Sequence, residues 1–502
     1  MDTLQSGQAR APETFDSVNP ATAEVIATLP VFGQAEVDET VERAHDAAAW
    51  WAGLDWKERQ TRLLAWKSHL ARYIGRLAEL VHTETGKPLD DAKMEIVLAI
   101  VHIDWAAKNA RKVLGPHRVR SGLTALNQAA HIEYQPLGVV GVIGPWNYPV
   151  FTPMGSLAYA LAAGNAVVFK PSEFTPAVGG WLVSSFAEVV PEKPVLQLIT
   201  GAGTTGEALA LSAVNKIAFT GSSRTARKVM AACARNLTPM IAECGGKDAL
   251  LVGKDADLDA AADAAAWGAV SNAGQTCVGV ERVYVEDEVY HTFVEKLSER
   301  MAGARAGDDR EASYGPMTMP GQLDVVEDHI ADAIARGGHA VLGGMESIRR
   351  PYVDPVILAN VPEQSMAVQD ETFGPTITVT RVADMSAAVE RANASRFALG
   401  SAVFAGNAKK AMAVARALRS GMTSINSVIA YATVPALPFG GFGDSGFGRI
   451  HGADGLREFT RAKSITRQRM KPPLNLTSLA RSDKDMTRLL SLTTLLHGKR
   501  YR

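Results

Sequence analysis

The spacing of apolar residues divides the chain into a helical N-terminal part and a longer part in which short apolar runs alternate with helices. Between residues 34 and 114, apolar side chains recur every three or four positions, which predicts amphipathic helices. Gly86 is predicted to end one of them, because glycine readily adopts the left-handed conformation of helix C-termini. From Ile132 onwards, β-branched residues and Gly/Pro punctuation predict strands that end in loops.

Five short apolar runs between residues 139 and 246 alternate with helical stretches. They read "VVGVIG", "AVVFK", "VLQLITG", "KIAFTGS" and "PMIAECGG". This alternation predicts βαβ units, a parallel sheet with helices on both faces, and hence an α/β fold. Each run ends in a polar or Gly-rich segment, and ligands bind at the carboxyl ends of parallel strands. A second α/β series, from residue 255 to about residue 439, predicts a second lobe.

Composition and charge narrow the functional classes. Of the 502 residues, 47% are hydrophobic and 21% are charged, as in ordinary folded proteins, and the net charge is −1. No overall field would attract nucleic acid or anionic lipid, so we expect no nucleic-acid partner. The N-terminus lacks a basic segment followed by an apolar core, and no apolar run reaches the about 18 residues of a membrane span. We therefore expect a cytoplasmic protein.

The chain has three cysteines, Cys233, Cys244 and Cys277. Their spacing fits neither a disulfide framework nor a zinc site, so we expect a reducing compartment and no metal. Alone, each would be interpreted as a buried small apolar residue. Cys277 differs because a polar approach, 272–276, precedes it and a β-like run, 280–285, follows it. At such a loop-to-element junction, free backbone N–H groups can stabilise a thiolate.

Seven short motifs in a fixed order give Cys277 a context. They are "PWNYP" at 145–149, "FKPSE" at 169–173, "FTGS" at 219–222, "ECGGK" at 243–247, "GQTC" at 274–277, "ETFGP" at 371–375 and "LPFGGFGDSGFGR" at 437–449. Together they resemble the aldehyde dehydrogenase superfamily, from residue 19 to about residue 466. The 34-residue separation of Glu243 and Cys277 is also what that family shows. Segments 425–441 and 449–465 resemble the fatty and aromatic aldehyde branches most closely.

The resemblance implies an aldehyde dehydrogenase-like α/β fold with two Rossmann-like domains and a β-hairpin oligomerisation arm. The implied parts are an NAD-binding domain at 1–117 and 137–246, a catalytic domain at 247–440, the arm at 118–136 and 461–468, and a C-terminal tail at 470–502. An extended arm exposes unpaired edge groups unless a neighbour covers them, so we expect a homo-oligomer, either a dimer or a tetramer. The tail carries leucines among basic residues. Packing on its own or a neighbouring subunit is the favoured interpretation, and peripheral membrane contact is the alternative.

The resemblance assigns the chemistry to three catalytic residues. Cys277 would attack the aldehyde as a thiolate, and the Asn147 amide with the Cys277 backbone N–H would hold the oxyanion. Oxidation leaves a thioester, and Glu243 would be the base that activates water, if burial raises its pKa toward neutrality. Members that pass the acyl group to coenzyme A generally lack this glutamate, so the predicted product is a carboxylic acid. Alone, Asn147 would be interpreted as a turn residue.

A dinucleotide site is also implied by the resemblance. Its predicted residues are Trp146, Lys170, Glu173, Gly221, Ser222, Glu371 and Phe373. Ser222 can bond a pyrophosphate at a helix N-terminus. Glu173 would accept bonds from ribose hydroxyls and repel a 2′-phosphate, so we predict NAD, with NADP as the alternative. Ala226 stands where the family often has a second glycine. The "GAGTTG" stretch at 201–206 matches a dinucleotide fingerprint, but it lacks the acidic residue about 20 positions later and receives little weight.

The substrate class is predicted from Gly155, which stands where acetaldehyde-type members carry a bulky aromatic residue. A wide, apolar tunnel mouth would favour medium-chain or aromatic aldehydes. Succinic semialdehyde is the alternative, although the sequence does not locate a cation for its carboxylate. Two other interpretations stay open: a thiol esterase that uses Cys277 and Glu243 without a cofactor, and a non-catalytic structural or binding protein. Cys244, next to Glu243, is expected to pack, with a redox-sensitive role as the alternative.

Overall fold

The computed structural model describes residues 13–122, 125–471, 474 and 476–498. Their contacts divide into two compact units, formed by the described residues of Met1–Val113 and Pro136–Thr460 and by those of Leu114–Gln135 and Arg461–Arg502. The predicted boundary at residue 246, between an NAD-binding and a catalytic domain, lies inside the first unit and stays a prediction. Residues 1–12 of the predicted NAD-binding domain lie outside the described residues.

The first unit begins with a strand hairpin and a group of helices. These elements are β1 (Thr14–Val18), β2 (Val25–Pro30), α1 (Gln34–Gly53), α2 (Trp56–Arg72), α3 (Ile74–Thr85) and α4 (Leu89–Leu114). The helices predicted over 34–114 are therefore confirmed. Gly86 ends α3 with a φ of 72°, as predicted. The stretch predicted as one helix up to Gly86 is divided at Tyr73, where φ of −107° and ψ of 21° leave the helical region.

A six-stranded sheet carries the five predicted apolar runs. Its strands are β5 (Val139–Ile143), β6 (Ala166–Lys170), β7 (Leu196–Leu198), β8 (Lys216–Thr220), β9 (Met240–Glu243) and β21 (Gly446–Phe447), in the order β21-β9-β8-β5-β6-β7. The connecting helices are α5 (Phe151–Ala162), α6 (Pro176–Val189), α7 (Gly203–Leu211) and α8 (Ser223–Ala234). Only β21 runs antiparallel to its neighbour among these described strands. The loops that follow the parallel strands therefore meet at one edge of the sheet.

A seven-stranded sheet confirms the second α/β series. Its strands are β10 (Asp248–Val252), β11 (Val280–Glu286), β12 (His339–Leu342), β15 (Val356–Ala359), β16 (Thr376–Val382), β18 (Ser401–Phe404) and β19 (Ser424–Ile425), in the order β12-β15-β16-β11-β10-β18-β19. The helices are α9 (Leu258–Val270), α10 (Tyr290–Ala302), α11 (Gln322–Ala335), α12 (Met366–Gln369), α13 (Met385–Asn393), α14 (Ala408–Ala417) and α15 (Gly452–Glu458). Short strand pairs join β13 (Ile348–Arg349) to β14 (Tyr352–Val353) and β17 (Phe397–Ala398) to β20 (Phe442–Gly443). Buried alanines of α9 pack into the apolar core beside β10 and β11.

The second unit contains a three-stranded sheet and a terminal helix. Its elements are β3 (His117–Val119), β4 (Gln128–Pro136), β22 (Thr460–Gln468) and α16 (Asp483–His497), with the strand order β22-β4-β3. Ser482 caps α16 by accepting the N–H of Asp485, and all fifteen helical residues remain at least partly exposed. The basic end of the predicted tail, 499–502, lies outside the described residues. Over the described ranges, the helices lack the combined length and apolarity needed to cross a bilayer.

Candidate active site

One cavity of about 1330 Å³ is lined by all ten residues predicted from the motifs. They end or follow β5, β6, β8 and β9 at one edge of the six-stranded sheet, or precede β11 and β16 of the other sheet. Residues far apart in the chain meet there because parallel strands end at the same edge. The lining residues are Trp146, Asn147, Lys170, Glu173, Gly221, Ser222, Glu243, Cys277, Glu371 and Phe373.

Cys277 follows a backbone segment that is left-handed at three successive residues. Asn272, Ala273 and Gly274 have φ values of 54°, 56° and 71°. A Cβ on Gly274 would overlap the backbone carbonyl of Gly374, so this position requires glycine. Such backbone conformations cost free energy and persist where the surrounding structure enforces them. The segment ends with the Cys277 thiol half-buried at the cavity wall.

The Asn147 side chain is bound to this segment. Its Nδ2 donates to the backbone carbonyl of Gln275 at 3.0 Å. The backbone carbonyl of Asn147 accepts from Asn272 Nδ2 at 3.0 Å and Lys87 Nζ at 2.7 Å. These bonds join the loop after β5 to the turn before Cys277. An amide nitrogen carries two N–H groups, and Gln275 uses one of them. The other is the donor that the oxyanion prediction requires.

A buried ion pair supports the Asn147 loop, and the sequence carries no local signal for it. Lys87 Nζ lies 2.7 Å from a Glu95 carboxylate oxygen, and both side chains are buried. The other Glu95 oxygen accepts the N–H groups of Val150 at 2.7 Å and Phe151 at 3.1 Å. Lys87 is 60 positions before Asn147, so only the folded chain brings them together.

Glu243 is a buried carboxylate without an ordinary partner. Neither of its oxygens has a hydrogen bond of normal geometry to a residue that the structure describes. Burial raises the pKa of Glu243 to about 8, a rise that the nearby Cys277 thiol opposes and Asp248 reinforces. Burial, then the charges of Glu243, Glu371 and Asp248, raises the pKa of the Cys277 thiol well above its usual range. At neutral pH, a proton must therefore leave this pair before the sulfur can attack.

The N-terminus of α8 fits an anionic group such as a pyrophosphate. Ser222 caps this helix by accepting the N–H of Thr225 at 3.2 Å, and Arg224 and Lys228 line the same cavity. The helix N-terminus, with its unpaired N–H groups and basic neighbours, favours negative charge. Ala226 is buried and donates its N–H to the Ser222 carbonyl at 2.9 Å, so the helix begins regularly without a second glycine.

Lys170 and Glu173 occupy the loop after β6. Lys170 Nζ lies 3.8 Å from a Glu173 oxygen, and it donates to the carbonyl of Pro171 at 2.8 Å. Burial lowers the pKa of Lys170, and Glu173 opposes that change. The Glu173 side chain is 40% exposed, so its carboxylate can accept hydrogen bonds from a ligand in the cavity.

Glu371 and Phe373 lie close to the glycines that follow Glu243. One Glu371 oxygen accepts the N–H of Gly246 at 3.1 Å, and a Cβ on Gly245 would overlap the other oxygen. The Trp146 ring is edge-on to Phe373, with centroids 5.6 Å apart at 89°. The consecutive glycines therefore permit the close approach of a carboxylate.

A second buried ion pair supports the loop before β16. Glu281 accepts the N–H groups of Thr372 at 2.8 Å and Phe373 at 3.0 Å, and it pairs with the buried Lys247 ammonium. Lys247 also donates to the Thr372 hydroxyl at 3.0 Å. The sequence motifs do not mark Glu281 as part of the site.

The structure changes two interpretations. Gly203 and Gly206 of the "GAGTTG" stretch line the cavity. The stretch can therefore contact a ligand there, although the acidic residue of a dinucleotide fingerprint is missing. Gly155 does not leave a wide tunnel mouth, because a Cβ there would lie 2.6 Å from His451 Nε2 and 3.0 Å from Ile450 Cδ1. His451 fills the space that the missing side chain leaves. The reason given for a wide tunnel is therefore wrong.

Cys244 lines the cavity, but its thiol is poorly exposed. Cys244 is buried, and burial, followed by the charges of Glu243 and Glu371, raises the pKa of its thiol to about 12. Its N–H donates to the Ser445 carbonyl at 3.1 Å. A protonated, buried thiol reacts slowly with oxidants, which favours packing over a redox role.

Comparison with known proteins agrees with this geometry. The sequence model of the aldehyde dehydrogenase family matches residues 7–465. A 4,4'-diapolycopene aldehyde oxidase of Methylomonas sp is 36% identical, over 92% of this chain and 87% of its own length. A probable succinate-semialdehyde dehydrogenase [NADP(+)] of Sinorhizobium fredii is 34% identical, over 90% and 92%.

The fold is also shared with solved structures. Betaine aldehyde dehydrogenase of Staphylococcus aureus, solved with NAD+, superposes with a TM-score of 0.87 at 29% identity, over 93% of this chain and 94% of that one. The family match spans most of the chain, and the predicted catalytic and cofactor residues line one cavity. The enzymatic interpretation is confirmed over the structural or binding-protein alternative. The chain thus belongs to the aldehyde dehydrogenase family and is an NAD(P)-dependent oxidoreductase that acts on an aldehyde.

Proposed function

We propose that this enzyme oxidises an apolar medium-chain or aromatic aldehyde to the carboxylic acid with NAD, with Cys277 as nucleophile, Asn147 as oxyanion donor and Glu243 as base. The convergence of these three side chains on one cavity carries the proposal. The thiol of Cys277 lies close enough to Glu243 for each group to alter the pKa of the other.

The sulfur attack needs a proton acceptor and an oxyanion site. Glu243 is placed to take the Cys277 proton, after which the sulfur bonds the carbonyl carbon and an electron pair moves to the oxygen. The free N–H of Asn147 and the backbone N–H of Cys277 hold that oxyanion. Removal of one such donor costs about 3–4 kcal/mol of barrier in enzymes of this kind.

A bound NAD(P) would supply the hydride acceptor for the former carbonyl carbon, and loss of the hydride would leave a thioester on Cys277. Glu243 first releases the Cys277 proton to solvent, and it then takes a proton from the water that attacks the thioester. The C–S bond breaks as the carboxylic acid forms, and Cys277 leaves as the thiolate, which a proton can neutralise. A base with a pKa of about 8 is strong enough for this step and is ionised in a useful fraction at mildly alkaline pH. Because neither carboxylate oxygen has a fixed partner among the described residues, both are available to the water.

The cofactor would be held by α8 and by the loops around the cavity. Ser222 and the N-terminus of α8 suit the pyrophosphate, and Lys170 with Glu173 suits the adenosine ribose. Glu371 and Phe373 would contact the nicotinamide ribose and ring, and Trp146 would lie against the pyrophosphate. The exposed carboxylate of Glu173 would repel a 2′-phosphate, which supports NAD over NADP. A preference for NADP by more than about tenfold in kcat/KM, equivalent to about 1.4 kcal/mol, would contradict this assignment.

Electrostatics support an uncharged substrate. Burial raises the pKa values of Glu243, Glu371 and Asp248 around Cys277, so charge is poorly solvated there and a substrate carboxylate would meet the same desolvation cost. A semialdehyde is the second candidate, because a relative at 34% identity is named for succinic semialdehyde.

The test is a panel of aldehydes with both cofactors, followed by NADH absorbance. We expect octanal and benzaldehyde to exceed acetaldehyde and succinic semialdehyde in kcat/KM. Cys277→Ala should abolish turnover, whereas Cys233→Ala, which alters a buried residue outside the cavity, should retain it. Turnover by Cys277→Ala at the wild-type rate would contradict the mechanism, and a preference for succinic semialdehyde would favour the second candidate. Light scattering would test the predicted homo-oligomer.

A further inference from the structure

His451 is a buried histidine that the proposed reaction does not use. Its side chain is 1% exposed, and neither ring nitrogen finds a hydrogen-bond partner within the part of the chain that the structure describes. Buried polar groups are nearly always paired, because an unpaired one keeps the full cost of leaving water. An unpaired imidazole therefore indicates a missing partner.

The backbone at His451 adds a second, independent cost. Its φ of 65° and ψ of 164° lie in a region that glycine populates almost alone. Residues in such conformations cluster at ligand sites, where the surrounding structure maintains the strain. Histidine therefore occupies a position where glycine would avoid the conformational cost of the backbone.

One face of α5 places this ring on the Asn147 side of the site. Phe151, Gly155 and Tyr159 lie four residues apart on that face, and the ring of His451 is 5.8 Å from the ring of Phe151 and 5.8 Å from that of Tyr159. Nε2 occupies the space beside Gly155. The helix starts four residues after Asn147, so its first turn is close to the proposed reaction centre.

A second wall leads from Cys277 to the same ring. The Tyr431 hydroxyl lies close to one Asp248 carboxylate oxygen, and the other Asp248 oxygen lies close to the backbone carbonyl of Cys277. The ring of Tyr431 is 6.3 Å from that of Phe439, which is 5.4 Å from the ring of His451. The residues proposed to hold the dinucleotide belong to other loops. The rings of Tyr431 and Phe439 therefore connect the surroundings of Cys277 with His451.

The neighbouring His102 helps to determine the protonation state of His451 and hence its hydrogen-bonding groups. The two ring centroids are 3.9 Å apart, and His102 has partners for both nitrogens, the Ala432 carbonyl and the Tyr159 hydroxyl, each at 3.3 Å. Burial, then the charge of His102, lowers the pKa of His451 well below its usual range, so its ring is neutral. A neutral imidazole has one N–H donor and one acceptor nitrogen. A hydroxyl group, which both donates and accepts, is its natural complement, whereas a carboxylate only accepts.

We infer that His451 is a specificity-determining residue that binds a hydroxyl group of the substrate, so that the preferred substrates are hydroxylated aldehydes with an aromatic or apolar body. The inference rests on the proposed function, since it assumes that the aldehyde reacts at Cys277. An analogue without the hydroxyl leaves the imidazole unpaired. Sites built to bond a substrate hydroxyl reject such analogues by up to about 10⁴–10⁵-fold.

The experiment compares kcat/KM within two matched pairs: 3-hydroxybenzaldehyde with 3-methylbenzaldehyde, and 8-hydroxyoctanal with octanal. Wild type should prefer the hydroxylated member of at least one pair by about 100-fold or more. His451→Gly should lose that preference while it still oxidises the methyl compound, because glycine suits the backbone conformation and removes only the imidazole. His451→Asn, which carries the same backbone cost as histidine and keeps a donor and an acceptor, should retain part of the preference. Free imidazole should partly restore it in His451→Gly.

The outcomes separate the inference from the proposed function. A ratio near one in wild type, or the same ratio in wild type and His451→Gly, would overturn the hydroxyl site and leave the aldehyde oxidation intact. If His451→Gly does not fold, an unchanged ratio in His451→Phe, which keeps a ring but has no hydrogen-bonding nitrogen, has the same meaning. Absence of turnover with every aldehyde in wild type would overturn the proposed function and this inference with it.

Discussion

Two buried carboxylates near the Asn147 loop have opposite surroundings. Glu95 lies 2.7 Å from Lys87 and accepts two backbone N–H groups, whereas Glu243 has no hydrogen bond of normal geometry to a described residue. Their exposures, 2% and 5%, are nearly the same. Hydrogen-bond and ion-pair partners, rather than the degree of burial, therefore distinguish a carboxylate that stabilises the fold from one that can exchange a proton.

The same division recurs at the other loop of the site. Glu281 pairs with Lys247 and accepts two backbone N–H groups, whereas Glu371 is half-buried with one such bond. Burial, then the charge of Glu281, raises the pKa of Glu371 well above its usual range. Each loop thus has one carboxylate with an ion pair and two backbone hydrogen bonds, Glu95 or Glu281. It also has one with fewer hydrogen bonds that lines the cavity, Glu243 or Glu371.

The largest expected effect is the loss of kcat when Glu243, the carboxylate without a hydrogen-bond partner among the described residues, is replaced. Glu243→Gln keeps the shape of the side chain but removes the base, so kcat should fall by about 10²–10⁴-fold. Steady-state NADH formation measures it. Glu188→Gln on the exposed face of α6 serves as the control and should keep kcat. A variant Glu243→Gln with wild-type kcat would mean that another group activates the water.

Removal of the cation that pairs with Glu95 should instead lower the stability of the fold. Lys87→Met leaves Glu95 buried without its cation, and the free energy of unfolding should fall by about 3–5 kcal/mol. Urea unfolding measures this change. Replacement of both residues by apolar ones should recover part of the loss, and Lys93→Met, which removes an exposed pair with Asp90, should change little. An equal effect of the Lys87 and Lys93 variants would contradict the structural role of the buried pair.

The pH dependence should separate the two carboxylates more finely. With a pKa of about 8, Glu243 gains its charge as pH rises, so kcat should increase through about pH 8 and this increase should be absent in Glu243→Gln. Stability should change in the opposite sense. The folded-state pKa exceeds the ordinary value of 4.5, so the unfolded chain ionises first and the free energy of unfolding should fall as pH rises between these values. Equal pH profiles of kcat for wild type and variant would exclude Glu243 as the titrating group.

The smallest expected effect concerns an exposed carboxylate. Glu173→Gln removes the charge that would repel a 2′-phosphate, so the kcat/KM ratio of NADP to NAD should rise by about tenfold, equivalent to about 1.4 kcal/mol. The exposed Glu192→Gln is the matched control and should leave the ratio unchanged. A ratio that does not move in Glu173→Gln would place cofactor selection elsewhere in the cavity.

Local patterns account for much of the fold and for the reactive residues. The apolar runs of the six-stranded sheet, the helices over 34–114 and the left-handed Gly86 follow from periodicity and backbone preference, which act over a few residues. The motifs around Asn147, Glu243 and Cys277 combine loop chemistry with strand ends, so their residue types are visible in the chain.

Other features depend on contacts between distant segments. Gly155 suggested empty space from the sequence, yet a histidine almost 300 positions later fills it. Lys87, Glu95 and Glu281 have no motif of their own, because their roles depend on which loops they face.

The sequence by itself determined the α/β rhythm, because strand and helix periodicity depends on neighbours along the chain. Its motifs, through their resemblance to a family, predicted the nucleophile, the amide and the carboxylate. Only the tertiary structure decided which carboxylates are paired, how the Cys277 turn is fastened to Asn147, and what lies beside Gly155. Pairing and burial depend on where strands end and which loops meet there. Desolvation and charge, which decide whether a carboxylate supports the fold or moves a proton, follow from that arrangement.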